Sequence, residues 1–218
     1  QNAKEIRNDI NKAKKLINSG KPVIVSLAPS FIANFDNVNF TTLKNALIKL
    51  GFADVEETSI GATIVKNCYD DMVNSNSSDV VISSCCHSVN TLIQRYYPEA
   101  IRYLAPVKSP MLAHCDLIKK QRGDCYTVFI GPCISKKAEA EMSGSSTDCV
   151  LTYDELSNWF DSEKITFEEC EDESIGGRAR LFPITSGILK SMKRTNKDYT
   201  YLAIDGMENC MTALKDII

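Results

Sequence analysis

Short apolar runs alternate with amphipathic segments along almost the whole chain. The apolar runs have the length and composition of strands: PVIVSLAPS, FADVEETS, DVVISSCC, YTVFIGPC, DCVLT and YTYLAID. Most of the segments between them have helical spacing: TTLKNALIKL, GATIVKNCYDDMV, SVNTLIQRYY, SPMLAHCDLIKKQ and YDELSNWF. This alternation is typical of parallel strands joined by helical crossovers, so the sequence predicts an α/β fold. The acidic segment FEECEDESIGGRARLFP is expected to be a loop.

Three cysteines stand where an apolar run ends and a helical pattern begins. Cys85 and Cys86 end the run DVVISSCC, and Cys133 ends the run YTVFIGPC. In an open parallel sheet, ligands bind beyond the carboxyl ends of the strands. The start of a helix favours thiolate over thiol and suits an anionic metal cluster. Because adjacent side chains of an extended segment point in different directions, we expect Cys85 and Cys86 to have different roles.

The chain has nine cysteines, an odd number that rules out complete internal pairing. A bridge between the neighbours Cys85 and Cys86 is disfavoured, because their Cα atoms lie about 3.8 Å apart and disulfides need roughly 4.4 Å or more. In a reducing compartment, surplus cysteines indicate metal binding, catalysis or burial. Most of the other six are expected to behave as small apolar residues: Cys68, Cys115, Cys125, Cys149, Cys170 and Cys210.

Composition argues against several classes of partner. The net charge of −3 comes without a basic stripe, which gives no support for nucleic-acid binding. No apolar run is long enough to span a membrane. The N-terminal segment is polar and unlike a secretion signal, with a helical pattern that puts four residues on one face: Ile6, Ile10, Ala13 and Ile17. We therefore expect a cytoplasmic protein that binds neither nucleic acid nor membrane.

Longer stretches of the sequence resemble one protein family. TSIGATIVKN, ISSCCHSVNTLIQRYYPEAIRYLAPVKSPM, VFIGPCISKKAEAE and DCVLTYDELSNWF, in this order, resemble the catalytic domain of [FeFe] hydrogenases, the iron-only large-subunit family. SLAPSF and FPITSGILKSM fit the same pattern, so the resemblance covers nearly all of residues 1–218. It implies two lobes, each with a short, mainly parallel sheet flanked by helices, and a cofactor cleft between them.

The cofactor of that family is the H-cluster, a [4Fe-4S] cube bridged through cysteine to a two-iron subsite. By resemblance, Cys86 and Cys133 match two ligands of the cube. Cys85, Cys86 and Cys133 are expected to approach one another across the cleft. Cys85 matches the thiol that passes a proton to the bridging amine of the diiron subsite.

The resemblance also implies roles for residues around the diiron subsite. Lys136 matches the lysine that binds a cyanide there. Glu139 lies one helical turn from Lys136, where it can hold the lysine in position. The loop that lines the diiron pocket is matched by Ala28, Pro29 and Ser30.

The sequence departs from the family pattern in several places. His87 follows the vicinal cysteines, where the family usually has proline. Gly131 stands where active members tend to carry methionine. The helix after TSIGA lacks the glutamates of the family's proton path and carries Lys66, Cys68, Tyr69 and Asp70 there.

A further motif of the family, CxxxC, supplies the remaining ligands of the cube. The final segment YLAIDGMENCMTALKDII resembles the residues just upstream of that motif. We therefore expect this chain to be a fragment of a longer protein, without the bound cluster and inactive on its own. Cys210 is not expected to be a ligand.

Three functions are compatible with this sequence. The first is reversible hydrogen oxidation and proton reduction at an H-cluster, with electrons exchanged through a ferredoxin-like domain or protein. The second is a sensory module that binds a [4Fe-4S] cluster and reports to a fused signalling domain. The third is a non-catalytic iron–sulfur scaffold. A zinc site is disfavoured, because no second thiol or histidine lies at zinc-finger spacing.

Overall fold

The fold is described from a computed structural model that covers residues 5–76, 78–142, 144–172, 178–193 and 196–218. The chain divides into two structural units. The first consists of Gln1–Thr58 and His114–Gly176, and the second of Ser59–Ala113 and Gly177–Ile218. Residues 173–177 of the predicted acidic loop lie outside the described residues.

The described residues form four strands and nine α-helices. The strands are β1 Val23–Leu27, β2 Asp54–Glu57, β3 Tyr126–Ile130 and β4 Cys149–Leu151. The helices are α1 Ile10–Ile17, α2 Phe40–Lys49, α3 Ser59–Asn74, α4 His87–Tyr96, α5 Pro110–Arg122, α6 Ser135–Ala140, α7 Tyr153–Ser162, α8 Gly187–Ser191 and α9 Met207–Ile217. Short 3-10 helices cover Pro29–Ala33, Pro98–Tyr103 and Arg178–Leu181.

All four strands belong to one parallel sheet in the first unit, with the order β2-β1-β3-β4. Leu27 pairs with Glu57 on one side and with Ile130 on the other, and Ile130 pairs with Leu151. The carboxyl ends of the strands therefore lie along a single edge. The predicted α/β fold is confirmed, and β1 has the fully buried, apolar character expected of a central parallel strand.

Local sequence signals define where the helices of this unit begin. The side chain of Asn39 accepts a hydrogen bond of 2.8 Å from the backbone N–H of Thr42 at the start of α2. Thr152 and Glu155 form a reciprocal capping box at the start of α7. The N-terminal helix is shorter than its pattern predicted, because α1 begins at Ile10 and Ile6 is exposed outside it.

The second unit has a helical framework around two apolar clusters. One cluster contains Val65, Tyr69 and Val73 of α3 together with Ala105 and Met192. The other is built from four buried residues and includes α4 and α9: Ile93, Tyr97, Ala100 and Leu214. Within the described part of this unit, extended pairing is limited to one parallel bridge between Ile82 and Leu104.

Two predicted strands of the second unit, DVVISSCC and YTYLAID, are therefore not strands in the structure. The reason for the first is visible in its hydrogen bonds. Ile82 pairs with the backbone of the segment before α5, but beyond it the N–H of Ser84 donates to the Tyr69 hydroxyl. The carbonyl of Ser84 accepts from the Asn90 side chain. The side chains of Tyr69 and Asn90 thus bind backbone groups of Ser84 that would have paired with a neighbouring strand if the strand had continued.

A search of the described helices found none with the length and apolar character needed to cross a membrane.

Candidate functional site

The vicinal cysteines lie at the start of α4 in the second unit. Cys86 is the N-cap residue of this helix, with extended backbone angles and no side-chain capping bond. Its carbonyl accepts the first helical hydrogen bond, from Asn90 at 3.0 Å, and its thiol is exposed. The sequence-based placement of Cys86 at a helix start is correct. A free, exposed thiol beside unpaired helix N–H groups is well suited to bind metal as a thiolate.

Cys85 faces a different environment from Cys86. Its thiol is half-buried and packs against the apolar cluster of α3, and its sulfur lies 3.5 Å from the hydroxyl of Tyr69. Neighbouring thiols therefore have distinct surroundings, one facing outward and one held by a tyrosine. This agrees with the expected division of roles, although the roles themselves stay predictions.

The Tyr69 hydroxyl is the centre of the hydrogen bonds around this turn. It accepts from the N–H of Ser84 at 2.9 Å and lies 3.1 Å from the hydroxyl of Ser83 and 3.2 Å from that of Ser84. The Ser84 hydroxyl donates to the carbonyl of Val107 at 2.5 Å. Burial raises the pKa of the Tyr69 phenol well above its usual value, and the nearby Cys85 adds to the shift. The phenol is therefore neutral.

Helix α3 carries an ion pair in the region where the resemblance to [FeFe] hydrogenases implied proton-path glutamates. Lys66 and Asp70 are separated by one helical turn, with 3.0 Å between Nζ and a carboxylate oxygen. The other carboxylate oxygen of the buried Asp70 accepts from the N–H of Lys193 at 3.1 Å. Asp70 is thus engaged in structural contacts.

Cys133 follows β3 in the first unit and precedes the short helix α6. It is exposed, its carbonyl accepts from the N–H of Lys136, and its sulfur lies 3.0 Å from the Ser135 hydroxyl. On α6, Lys136 forms an ion pair with the buried Glu139. The predicted contact between these two side chains is therefore present.

The loop of Ala28, Pro29 and Ser30 follows β1 and is held by a buried tyrosine. The Tyr153 hydroxyl donates to the carbonyl of Ala28 at 2.8 Å and lies 2.9 Å from the Ser30 hydroxyl. Close packing continues at Gly131, where an added Cβ would lie 2.8 Å from the Phe129 ring and 3.0 Å from the Cβ of Ala28. A larger residue at 131 would need Phe129 to move.

All nine cysteines lie in the described residues, and none forms a disulfide. Cys115, Cys125 and Cys149 are buried, as expected for small apolar residues. Burial raises the pKa of Cys115 to about 11 and that of Cys149 to about 12, which makes both thiols unreactive. The expectation was for most of the six, and it holds for these three, whereas Cys68 is exposed and Cys170 and Cys210 are half-buried.

Within the described residues, neither histidine belongs to a group of three or more histidine, cysteine or acidic side chains that could hold a metal ion. His114 is fully buried, with Nδ1 2.8 Å from the Ser26 hydroxyl and Nε2 3.3 Å from Glu56. Both ring nitrogens of His114 are therefore engaged in contacts inside the first unit. His87 is the first residue of α4 and is half-buried.

Sequence reasoning gave no role in the site to three residues that contact or lie near its candidate residues: Tyr69, Tyr153 and Cys210. Tyr69 and Tyr153 are apolar in pattern, and their roles depend on hydroxyl contacts with distant segments. Cys210 has a pKa raised by burial and also by the thiol of Cys86, so these two cysteines are neighbours in the second unit. The order of residues in the sequence carries no signal for these contacts.

The donor set suits an iron–sulfur cluster but does not complete one. Within the described part of the chain, no group of three or more cysteine, histidine or acidic side chains is arranged to hold a metal ion. Cys86 supplies an exposed thiol in the second unit and Cys133 one in the first. A [4Fe-4S] cube takes four ligands, so these two thiols are half of the required set. Their approach to one another stays a prediction.

Comparison with known proteins identifies relatives over most of the chain. The model of the family described as iron only hydrogenase large subunit, C-terminal domain, matches residues 21–217. Iron hydrogenase 1 of Clostridium pasteurianum is 27% identical over 227 residues, which cover 88% of this chain and 40% of that protein. The cytosolic Fe-S cluster assembly factor NAR1 of Encephalitozoon cuniculi is 34% identical over 98 residues, covering 45% of this chain and 26% of that protein.

Solved structures support the fold. A variant of [FeFe]-hydrogenase HydA1 from Chlamydomonas reinhardtii matches with a TM-score of 0.70 and 22% identity, over 92% of this chain and 62% of that one. The chain therefore spans less than two thirds of the length of each of these proteins. Because the family model covers nearly all of it, this chain belongs to the family of the iron only hydrogenase large subunit, C-terminal domain.

Proposed function

We propose that this chain contributes part of the cluster site of an iron–sulfur oxidoreductase that interconverts protons and hydrogen. The observation that carries the proposal is the pair of exposed, unbridged thiols of Cys86, directly before α4, and Cys133, two residues before α6. Both stand at positions that resemble cluster ligands of the family. The identity to iron hydrogenase 1 and the family match support the same chemistry.

In this proposal, Cys86 and Cys133 bind the cube as thiolates. An H-cluster, when bound, would supply the electron store and the metal centre at which protons and hydrogen are interconverted. Cys85 holds a proton at its sulfur and exchanges it with the site, while the neutral Tyr69 hydroxyl beside it fixes its direction. Lys136, held by Glu139, offers an ammonium group to an anionic ligand of the diiron subsite. Ala28, Pro29 and Ser30 would line that subsite and exclude water from it.

A non-catalytic or sensory module that binds a [4Fe-4S] cluster is the second candidate. The observation in its favour is on α3, where the Asp70 carboxylate pairs with Lys66 and accepts a hydrogen bond from the backbone N–H of Lys193. This carboxylate is buried and holds two structural contacts, and the Tyr69 phenol keeps its proton. Similarity to a protein named as a cluster assembly factor also agrees with a scaffold role.

We further propose a ferredoxin-like domain or protein as the electron partner, a fused signalling domain in the sensory case, and a cytoplasmic location. The slightly acidic charge of the chain supports the absence of a nucleic-acid partner.

The cluster ligands are tested by reconstituting the protein as its gene encodes it, anaerobically, with iron and sulfide. Cys86→Ser and Cys133→Ser should each retain less than about a tenth of the wild-type cluster, because a cube that loses a thiolate is unstable. Cys68→Ser is the matched control, since Cys68 is also exposed but lies within α3. Wild-type iron and sulfide content in both ligand variants would refute the assignment.

Infrared spectroscopy after maturation with a diiron precursor separates the two candidates. Carbon monoxide and cyanide bands with hydrogen evolution would establish the enzyme. Bands with negligible turnover would favour the sensory module, and a cube without these bands would leave the scaffold function.

A further inference from the structure

The segment 83–86 joins Ile82 to α4 without regular secondary structure, yet a buried side chain from another element holds it. Tyr69 of α3 is 3% exposed, and its ring packs in the apolar cluster with Val65 and Val73. Its hydroxyl meets three consecutive residues: Ser83, Ser84 and Cys85. This number of contacts exceeds what a core tyrosine needs to satisfy one hydroxyl group.

The donors and acceptors at this hydroxyl are constrained. Its oxygen accepts from the backbone N–H of Ser84, so the phenolic proton is left for one acceptor among the two serine hydroxyls and the Cys85 sulfur. The Ser84 hydroxyl gives its own proton to the carbonyl of Val107. It can therefore only accept from Tyr69. The phenol thus links α3 to the turn, and the Ser84 hydroxyl links the turn to the residues before α5.

We propose that Tyr69 is a positioning residue that fixes the turn 83–86 and thereby the directions in which Cys85 and Cys86 present their thiols. The proposal rests on the function proposed for these cysteines. Two features set the hydroxyl apart from simple core packing. The hydroxyl accepts a hydrogen bond from the backbone N–H of Ser84, which is therefore not available to continue the backbone pairing of Ile82. The hydroxyl also lies 3.5 Å from the sulfur of Cys85. The ring alone would provide neither contact.

Tyr69→Phe removes the hydroxyl and keeps the ring. Tyr199→Phe is the matched control, because Tyr199 packs against the same cluster and donates its hydroxyl to the carbonyl of Ser78, outside the turn. The first measurement is the rate at which N-ethylmaleimide labels each cysteine in the purified full chain before iron is added, resolved by peptide mass spectrometry. Cys133, in the other unit, serves as the internal reference.

We expect labelling of Cys85 relative to Cys133 to rise about fivefold in Tyr69→Phe, the factor that corresponds to loss of one ordinary hydrogen bond. Labelling should be unchanged in Tyr199→Phe. An unchanged Cys85 rate in Tyr69→Phe, or an equal rise in both variants, would overturn the proposal. If Tyr69→Phe does not fold, Ser84→Ala takes its place, since it removes the link from Tyr69 to Val107 and should also raise Cys85 labelling.

The second measurement uses the reconstituted protein and separates this proposal from the proposed function. The electron paramagnetic resonance spectrum of the reduced cluster should change in Tyr69→Phe and stay as in wild type in Tyr199→Phe. A wild type that binds no cluster would refute the proposed function, while the labelling experiment would still decide the role of Tyr69. A cluster with an identical spectrum in all three proteins would refute the effect of Tyr69 on Cys86.

Discussion

Single residues of the first unit are held in place by polar contacts that the buried sheet makes possible. His114 and Glu56 show this most clearly, because a fully buried imidazole joins the hydroxyl of Ser26 to a carboxylate on β2. Arg122 completes the group with a hydrogen bond of 2.9 Å to Glu56. Together these donors hold the pKa of Glu56 at about 2, first through His114 and then through Arg122.

The lowered pKa of Glu56 predicts acid sensitivity with a defined sign. A carboxyl that titrates near 4.5 when unfolded and near 2 when folded stabilises the fold above pH 4.5, and this contribution is lost as the pH falls towards 2. Glu56→Gln should therefore lower the free energy of unfolding at pH 7 by about 1–3 kcal/mol. Between about pH 4.5 and 3, the free energy of unfolding should fall less steeply in this variant than in wild type. Urea unfolding at several pH values measures both effects.

The control for this prediction is Glu168→Gln, which removes an exposed carboxylate paired with Lys49. It should leave the free energy of unfolding nearly unchanged, because an exposed pair contributes little. Parallel pH dependences for wild type and Glu56→Gln would contradict the structural role of Glu56.

At the scale of elements, two helices of the first unit, α2 and α7, begin at residues whose side chains cap them. The start of α7 is the best example, because the Thr152 hydroxyl accepts from the N–H of Glu155 at 3.2 Å, and the Glu155 carboxylate accepts from the N–H of Thr152 at 2.7 Å. Both bonds are buried. The helix that carries Tyr153, and with it the contacts to the loop of Ala28 and Ser30, is thus fixed by its first turn.

We expect Thr152→Ala to lower the free energy of unfolding by about 1–2 kcal/mol, because an orphan N–H at the helix start loses its acceptor. Thr152→Ser keeps the hydroxyl and should recover most of the loss. Thermal or urea unfolding followed by circular dichroism provides the measurement. Equal stability of the alanine and serine variants would show that the hydroxyl does not act as a cap.

At the scale of the whole molecule, contacts between distant segments organise the first unit. The buried ammonium of Lys137 lies 2.7 Å from Asp9 and 2.9 Å from Glu155, and it also donates to the carbonyl of Val150. It therefore joins the N-terminal segment, β4 and α7 to α6. Since α6 follows Cys133 and carries Lys136, this buried group anchors the helix on which part of the candidate site is built.

Lys137→Met should destabilise the first unit by about 3–5 kcal/mol, because it leaves two buried carboxylates without their shared cation. The triple variant, which adds Asp9→Asn and Glu155→Gln, should lose less free energy of unfolding than the single variant, because the uncompensated carboxylate charges are removed as well. Urea unfolding compares the two. A single variant as stable as wild type would contradict the inferred anchor.

The sequence by itself determined the α/β class, four of its six predicted strands and the placement of Cys86 and Cys133 before helices, since apolar periodicity acts over a few residues. It also placed Glu139 within reach of Lys136, because one helical turn separates them. Only the tertiary structure decided that DVVISSCC pairs at a single residue, and that Tyr69, Tyr153 and Cys210 lie beside the candidate residues. The physical reason is that hydroxyl, thiol and backbone groups find their hydrogen-bond partners only after distant segments have packed together. The apolar pattern of the sequence directs this packing but does not specify which polar groups become partners.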